Sequence, residues 1–218
     1  MMEADRDLVA YYSARAGEYE EIYQKPERQN DLAVLRAMVL EFSAGQRVLE
    51  LACGTGYWTQ IIAESAISVL AVDPSEESVD RALSKKLPGD AVVFEVADAL
   101  RVTHDLCDIG SVVCGFLWSH IPRQEIGPWI ARLVGKLPSG TRFLFMDNRY
   151  EERSSTPVAE VDADGNSYQL RELDDGRVFR VLKNFPSSVE LRRAVERDAH
   201  GIGITELEYY WLLQFTSQ

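Results

Sequence analysis

The chain has 218 residues, a formal net charge of −12, 46% apolar and 27% charged residues, a composition that points to an ordinary globular protein. No apolar run reaches bilayer length and the acidic start lacks a signal core, so a cytoplasmic protein with no membrane partner is expected, and the charge disfavours nucleic acid as a partner. Cys53, Cys107 and Cys114 lack metal-ligand spacing and cannot all pair, so reduced thiols and no metal are expected.

Residues 1–24 read as a helical N-terminal cap carrying Tyr11, Tyr12, Tyr19 and Tyr23, with Tyr12–Tyr19 and Tyr19–Tyr23 at helical spacing. Apolar spacing predicts a second helix over 28–42. Strands and helices then alternate. Strands are expected at 47–51, 68–73, 91–98, 108–116 and 141–148. Helices are expected at 57–66, from a Ser75 cap to about Lys86, and from about Arg123 to Leu137. Continuous apolar runs in the strands imply burial on both faces, hence a parallel sheet with helices on each side.

The pattern changes after Tyr150. Two strands joined by a turn at Asp174–Gly176 form an inserted hairpin within 160–185. A helix starts at Ser187 or Ser188 and runs to about Ala199, and one last strand covers 205–216. Residues 1–218 are read as one domain. Two basic groups, Arg171, Arg177, Arg180 and Lys183, then Arg192, Arg193 and Arg197, are interrupted by acids and read as solvated faces. His104 and His200 read as surface or loop residues.

In an open parallel sheet, ligands sit beyond the carboxyl ends of the strands, near the point where strand order reverses. Here those ends carry Glu50, Asp73, Asp98, the Trp118–His120 stretch, and Asp147 with Asn148 and Arg149. The first strand runs into the glycine turn Gly54-Thr55-Gly56, followed by Tyr57 and Trp58. A dinucleotide loop would place a third glycine three residues after the second, and a phosphate-binding loop would continue Gly-Lys-Ser/Thr; neither occurs. Asp73 suits a ribose diol, since a carboxylate accepts two hydroxyl hydrogen bonds, and Asp98 can reach an adenine amino group. Together they describe an adenosine-containing ligand without phosphates.

These stretches resemble the motifs of class I S-adenosylmethionine-dependent methyltransferases. "VLELACGTG" is similar to the first motif, "LAVDPSEESVDRA" to the second, "FEVADAL" to the third and "CDIGSVVCGFLWSHIP" to the fourth. The resemblance implies an α/β fold: a seven-stranded, mostly parallel Rossmann-like sheet whose terminal hairpin puts one antiparallel strand inside it. It implies S-adenosylmethionine as cofactor, S-adenosylhomocysteine as product, and a small-molecule acceptor methylated on O or N. By position, Glu50 would hold the loop and the ammonium side of the donor. Gly54 and Gly56 would let backbone face its methionine part, and Asp73 would bind the ribose. Asp98 and Ala99 would contact adenine, Gly115 and Phe116 would accept from the amino group, and Tyr19 would close over the donor.

The acceptor pocket is less legible. Tyr11, Trp58, Trp118 and Arg149 are candidates for it. Trp58 reads equally as a core residue or as a face for the sulfonium, and Tyr57 reads as core. Arg149 and Lys183 could bind a substrate carboxylate, although Lys183 reads more readily as a solvated strand end. His120 is a candidate base, or a loop residue that orients substrate. A nicotinamide-dependent oxidoreductase and a non-catalytic cofactor-binding or interaction domain of the same fold are the alternatives. The oligomeric state is not legible.

Overall fold

The computed structural model describes residues 3–88, 91–102 and 106–218; His104 lies outside them. Helix α1 (Glu3–Arg15) is followed by a 3-10 turn at Tyr19–Gln24 and by α2 (Gln29–Ser43). Then come β1 (Arg47–Leu51), α3 (Tyr57–Ala63), β2 (Ser68–Asp73), α4 (Glu76–Leu83), β3 (Val92–Val96) and β4 (Ser111–Gly115). Helix α5 (Arg123–Val134) leads to β5 (Arg142–Asn148) and to three short strands, β6 (Glu160–Val161), β7 (Ser167–Glu172) and β8 (Val178–Leu182). Helix α6 (Ser188–Val195), β9 (Ala199–Glu206) and β10 (Tyr210–Ser217) close the chain.

The main sheet has seven strands in the order β3-β2-β1-β4-β5-β10-β9. Strands β1 to β5 are parallel, and β10 is antiparallel to both of its neighbours, β5 and β9. The two-residue alternation of strands divides the core. Phe143 and Phe145 of β5 join Trp211, Trp129 of α5 and Leu191 of α6 on one face. Leu144 and Met146 join Leu35, Val39 and Phe42 of α2 and Ile62 of α3 on the other. Both faces are covered, as the apolar runs require. The order reverses between β1 and β4, which opens a crevice beyond their carboxyl ends.

Two expectations are corrected. The final strand expected over 205–216 is two strands, β9 and β10, turning at 207–209. Gly201 and Gly203 dilute the β-branched pattern of β9, and the apolar Leu207 and Tyr209 disguise the turn. The expected two-stranded hairpin is a separate three-stranded sheet, β6-β7-β8. Strand β6 is only two residues long, too short for a periodic signal. Elsewhere the elements stand within a few residues of where predicted: β1 and β2 match their bounds, α2 is shifted by one residue, and most others are shorter. The Ser75 hydroxyl accepts from the Ser78 N–H at 3.2 Å to start α4, and Ser187 forms a capping box with Glu190 to start α6.

The cap is one helix and a 3-10 turn, broken around Gly17. It rests on the small sheet and on α4. Tyr11 packs on Phe179 of β8 with ring centroids 5.6 Å apart, and the hydroxyls of Ser13 and Ser75 are 2.8 Å apart. Cap and small sheet together roof the carboxyl ends of the main strands.

Candidate active site

Two clefts meet under this roof. The inner one, about 310 Å³, lies over the glycine turn and the ends of β2, β3 and β4. Asp73, Asp98, Ala99, Gly54, Gly115 and His120 all line it. The outer one, about 520 Å³, lies between the cap and the small sheet and is lined by Tyr11, Arg28, Gln169, Arg171 and Lys183, among others. Tyr12, Tyr19 and Phe116 line both, so they form the wall between the two. Both volumes suit small organic ligands.

The inner cleft is built on backbone that most residues avoid. Ala52 and Phe116, just after β1 and β4, adopt φ of 56° and 64°. Left-handed conformations in non-glycine residues are uncommon and cluster at functional sites. Gly54 has φ 54°, and nothing approaches the place its Cβ would occupy, which leaves open space above the turn. Asp73 is buried at the end of β2. Its two oxygens accept from the N–H groups of Gly54 and Ser75, each at 2.9 Å. Burial pushes its pKa up, while these two N–H groups work to keep it ionised. Asp98 is exposed at the cleft edge and accepts from the Leu100 N–H at 2.9 Å.

Two of the expected cofactor residues do not line the inner cleft. Gly56 has φ 79°, and a Cβ there would come within 2.9 Å of the Ala82 Cβ on α4. Its bareness lets α3 and α4 pack closely, the function a third glycine serves in dinucleotide loops. Glu50 is buried beneath the turn and paired with the Thr59 hydroxyl at 2.6 Å. Burial raises its pKa to about 8 despite that hydrogen bond.

His120 is buried, with both ring nitrogens engaged. Its Nδ1 lies 2.6 Å from the Leu182 carbonyl oxygen, which can only accept, so Nδ1 carries the proton. Its Nε2 therefore accepts from the Tyr12 hydroxyl, 2.7 Å away. Burial first, then Lys183 and Arg171, hold His120 well below its usual pKa, so it is neutral. It meets the outer cleft only through Tyr12.

Four acceptor-side expectations are revised. Trp58 lines neither cleft; its indole N–H donates to the Tyr23 hydroxyl at 3.0 Å, inside the core on the α2 side. Trp118 lies on the opposite face of the sheet, edge-on to Trp129, Phe145 and Trp211. Arg149 donates to the Leu207 carbonyl and ties down the β9–β10 turn. Lys183 is no solvated strand end. It is buried, 2.9 Å from the Asp147 carboxylate and 2.6 Å from the Ser119 hydroxyl. Burial works against the charged form of Asp147, but Lys183 and the Ser119 and Asn148 N–H groups outweigh it and hold its pKa low. Tyr11 lines the outer cleft and Tyr19 lines both.

Sequence reasoning missed Tyr12 as the partner of His120, and Arg28 and Gln169 in the outer cleft. Arg28 precedes a helix and Gln169 sits in a strand of the inserted sheet, where no motif marks them. It also missed a latch. Glu20 of the cap accepts from the Thr55 hydroxyl at 2.6 Å and pairs with Lys85 beyond α4, fastening the cap to the glycine turn.

An open α/β sheet with an acidic residue at the end of β2, a glycine turn after β1 and a reversed final hairpin defines an adenosine-binding fold of methyltransferase type. Residues 48–140 match the family model described as a methyltransferase domain. The chain is 28% identical over 136 residues to an uncharacterized methyltransferase of Geobacillus sp. (strain WCH70), covering 62% of this chain and 63% of that one. It is similar to the solved DhpI-SAM-HEP complex, with a TM-score of 0.80, 27% identity and 99% of both chains covered. The DhpI-SAH complex gives a TM-score of 0.77 at 27% identity, with 98% of this chain and 97% of that one covered. The fold is that of class I S-adenosylmethionine-dependent methyltransferases, residues 48–140 carry the match to a methyltransferase domain, and the chain spans 63% of the length of the Geobacillus relative.

Proposed function

We propose that the chain, acting as one domain over 1–218, moves the methyl group of S-adenosylmethionine to an oxygen or nitrogen of a small-molecule acceptor in the cytoplasm. The carrying observation is the pair of clefts that meet at Tyr12, Tyr19 and Phe116. In this reading the inner cleft holds the donor and the outer cleft the acceptor. Asp73 binds the ribose diol, Asp98 and Ala99 the adenine, Gly54 and Gly115 the methionyl part, and Tyr19 closes from the cap. Glu50 supports the turn from below.

When bound, the donor supplies an electrophilic methyl on a sulfonium. The chain supplies alignment and dryness. The rings of Tyr12, Tyr19 and Phe116 surround the passage, where aromatic faces favour a cation and exclude water. Holding two reactants in line is worth about 7–11 kcal/mol. For a hydroxyl acceptor, Tyr12 is the group within reach, and its own proton moves on to the neutral His120 Nε2. An amine acceptor needs no such step. The outer cleft of about 520 Å³ and the overall negative charge support a small molecule over nucleic acid, and the DhpI complexes are compatible with it.

The test is label transfer. The protein is incubated with a cell extract and donor carrying a labelled methyl, and the extract is then fractionated. The label is expected in the small-molecule fraction; label confined to protein or nucleic acid would contradict the proposal.

A further inference from the structure

Arg15, Lys25, Arg28 and Arg171 all line the outer cleft of a chain whose net charge is −12. Lys183 lines it too, but Asp147 neutralises it. Among the described residues, the other four have no carboxylate at ion-pair distance. Their partners are neutral. Arg28 is buried and donates to the Ser154 hydroxyl at 3.0 Å, the Ser154 carbonyl at 3.2 Å and the Asn148 side-chain oxygen at 3.1 Å. Arg171 donates to the Gln169 side-chain oxygen at 2.9 Å and to the Tyr12 hydroxyl at 3.3 Å. Arg15 donates to the Tyr11 hydroxyl and Lys25 to the Ser154 carbonyl. Burial and then Arg28 push the Lys25 pKa down, against a smaller opposing pull from Glu27.

Acids do border the cleft, but at its rim. Glu18, Glu21, Glu172 and Asp174 are exposed. Asp174 raises the Glu18 pKa, so these two carboxylates repel each other. Glu27 is also exposed; it accepts from the Ser154 hydroxyl at 2.9 Å and acts on Lys25 and Arg28 only from beyond ion-pair distance, from the solvent side. Burying guanidinium groups without a counter-charge is costly, and the cost is recovered when an anion arrives.

We propose that the acceptor is a small organic oxyanion, a carboxylate or a phosphoryl compound, anchored by Arg28 and Arg171 while its nucleophile faces the donor across Tyr12, Tyr19 and Phe116. This deepens the proposed methyl transfer and rests on it. Guanidinium forks match both kinds of oxyanion, and the Tyr11 and Tyr12 rings give the organic part an apolar wall.

The experiment titrates protein loaded with S-adenosylhomocysteine, by calorimetry, with benzoate, phenyl phosphate and the neutral benzamide. At least one anion is expected to bind saturably and benzamide at least about tenfold more weakly. A preference between the two anions identifies the carboxylate or the phosphoryl class. Arg171→Gln, which changes a half-buried side chain, and Arg28→Gln are each expected to weaken the anion by about tenfold or more. Arg177→Gln, an exposed residue paired with Asp175 outside the cleft, should leave anion binding unchanged. Benzamide binding as well as the anions, anion affinity unchanged in both cleft variants, or no anion binding overturns the inference. The S-adenosylhomocysteine titration is read first and separately. Its failure would count against the methyltransferase reading, and the anion titration of unloaded protein would still test the charged cleft.

Discussion

The Tyr12 hydroxyl donates to Nε2 of His120 across 2.7 Å, and the Leu182 carbonyl fixes the tautomer that makes this possible. The bond joins the cap to the end of β4, and it places a phenol rather than an imidazole at the passage between the clefts. With a hydroxyl acceptor, Tyr12→Phe and His120→Ala should each lower kcat by about 10²-fold or more, with the double variant little worse than either. Steady-state kinetics with the acceptor checks this. Near-native turnover in both single variants would remove the pair from the mechanism.

The same burial makes a statement about stability. His120 is held well below its ordinary pKa in the fold, whereas an unfolded histidine takes a proton near pH 6.5. Below about pH 6.5 the unfolded chain binds a proton the native chain refuses. Stability from this group is thus present above that pH and lost as pH falls through it. Urea midpoints between pH 7.5 and 5.5 should fall more steeply for wild type than for His120→Gln; parallel curves would contradict the assignment.

Glu50 has the opposite sign. Its folded pKa is about 8 against an ordinary value of 4.5. Between those values the native state holds a proton that the unfolded chain has released, so the favourable contribution is full below pH 4.5 and gone once pH passes 8. Glu50→Gln keeps a neutral partner for Thr59. It should stabilise the unliganded protein by an amount that grows between pH 6 and pH 9, to the order of a few kcal/mol. A variant equally destabilised at both pH values in thermal melts would refute this.

Lys183, which lines the outer cleft, forms a buried ion pair with Asp147 behind it, with added hydrogen bonds from the Ser119 and Asn148 N–H groups to Asp147. Lys183→Met leaves a buried carboxylate without its cation, which costs roughly 3–5 kcal/mol. Lys183→Met with Asp147→Leu should recover much of that loss, because apolar replacement of a buried pair is often close to neutral. Chemical denaturation of the three proteins checks it. A loss below about 1 kcal/mol for the single change would mean that the pair is hydrated.

What was legible in the sequence is what repeats a short-range pattern. The strands β1, β2, β4 and β5 announce themselves by continuous apolar runs, and Asp73 and Gly54 by their place after such runs. Glycine-diluted β9 and two-residue β6 carry too little pattern to be read. The outer cleft was illegible for a different reason. Tyr12, Arg28 and Arg171 are far apart in the chain, and only the folding of the cap onto the inserted sheet brings them together. Lys183 was misread because its partner, Asp147, lies 36 residues upstream and no local pattern announces the pair. Gly56 was read toward the ligand and Trp58 was left level between ligand and core, and packing accounts for both: Trp58 against Tyr23, Gly56 against Ala82.

The central claim is that the inner cleft holds S-adenosylmethionine by way of Asp73. Calorimetric titration of S-adenosylhomocysteine into wild type and Asp73→Ala tests it most directly. The account predicts saturable one-to-one binding by wild type and a loss of at least about tenfold in the variant, the weight of hydrogen bonds to a charged group. Absence of binding by well-folded wild type, or unchanged affinity in Asp73→Ala, would contradict it.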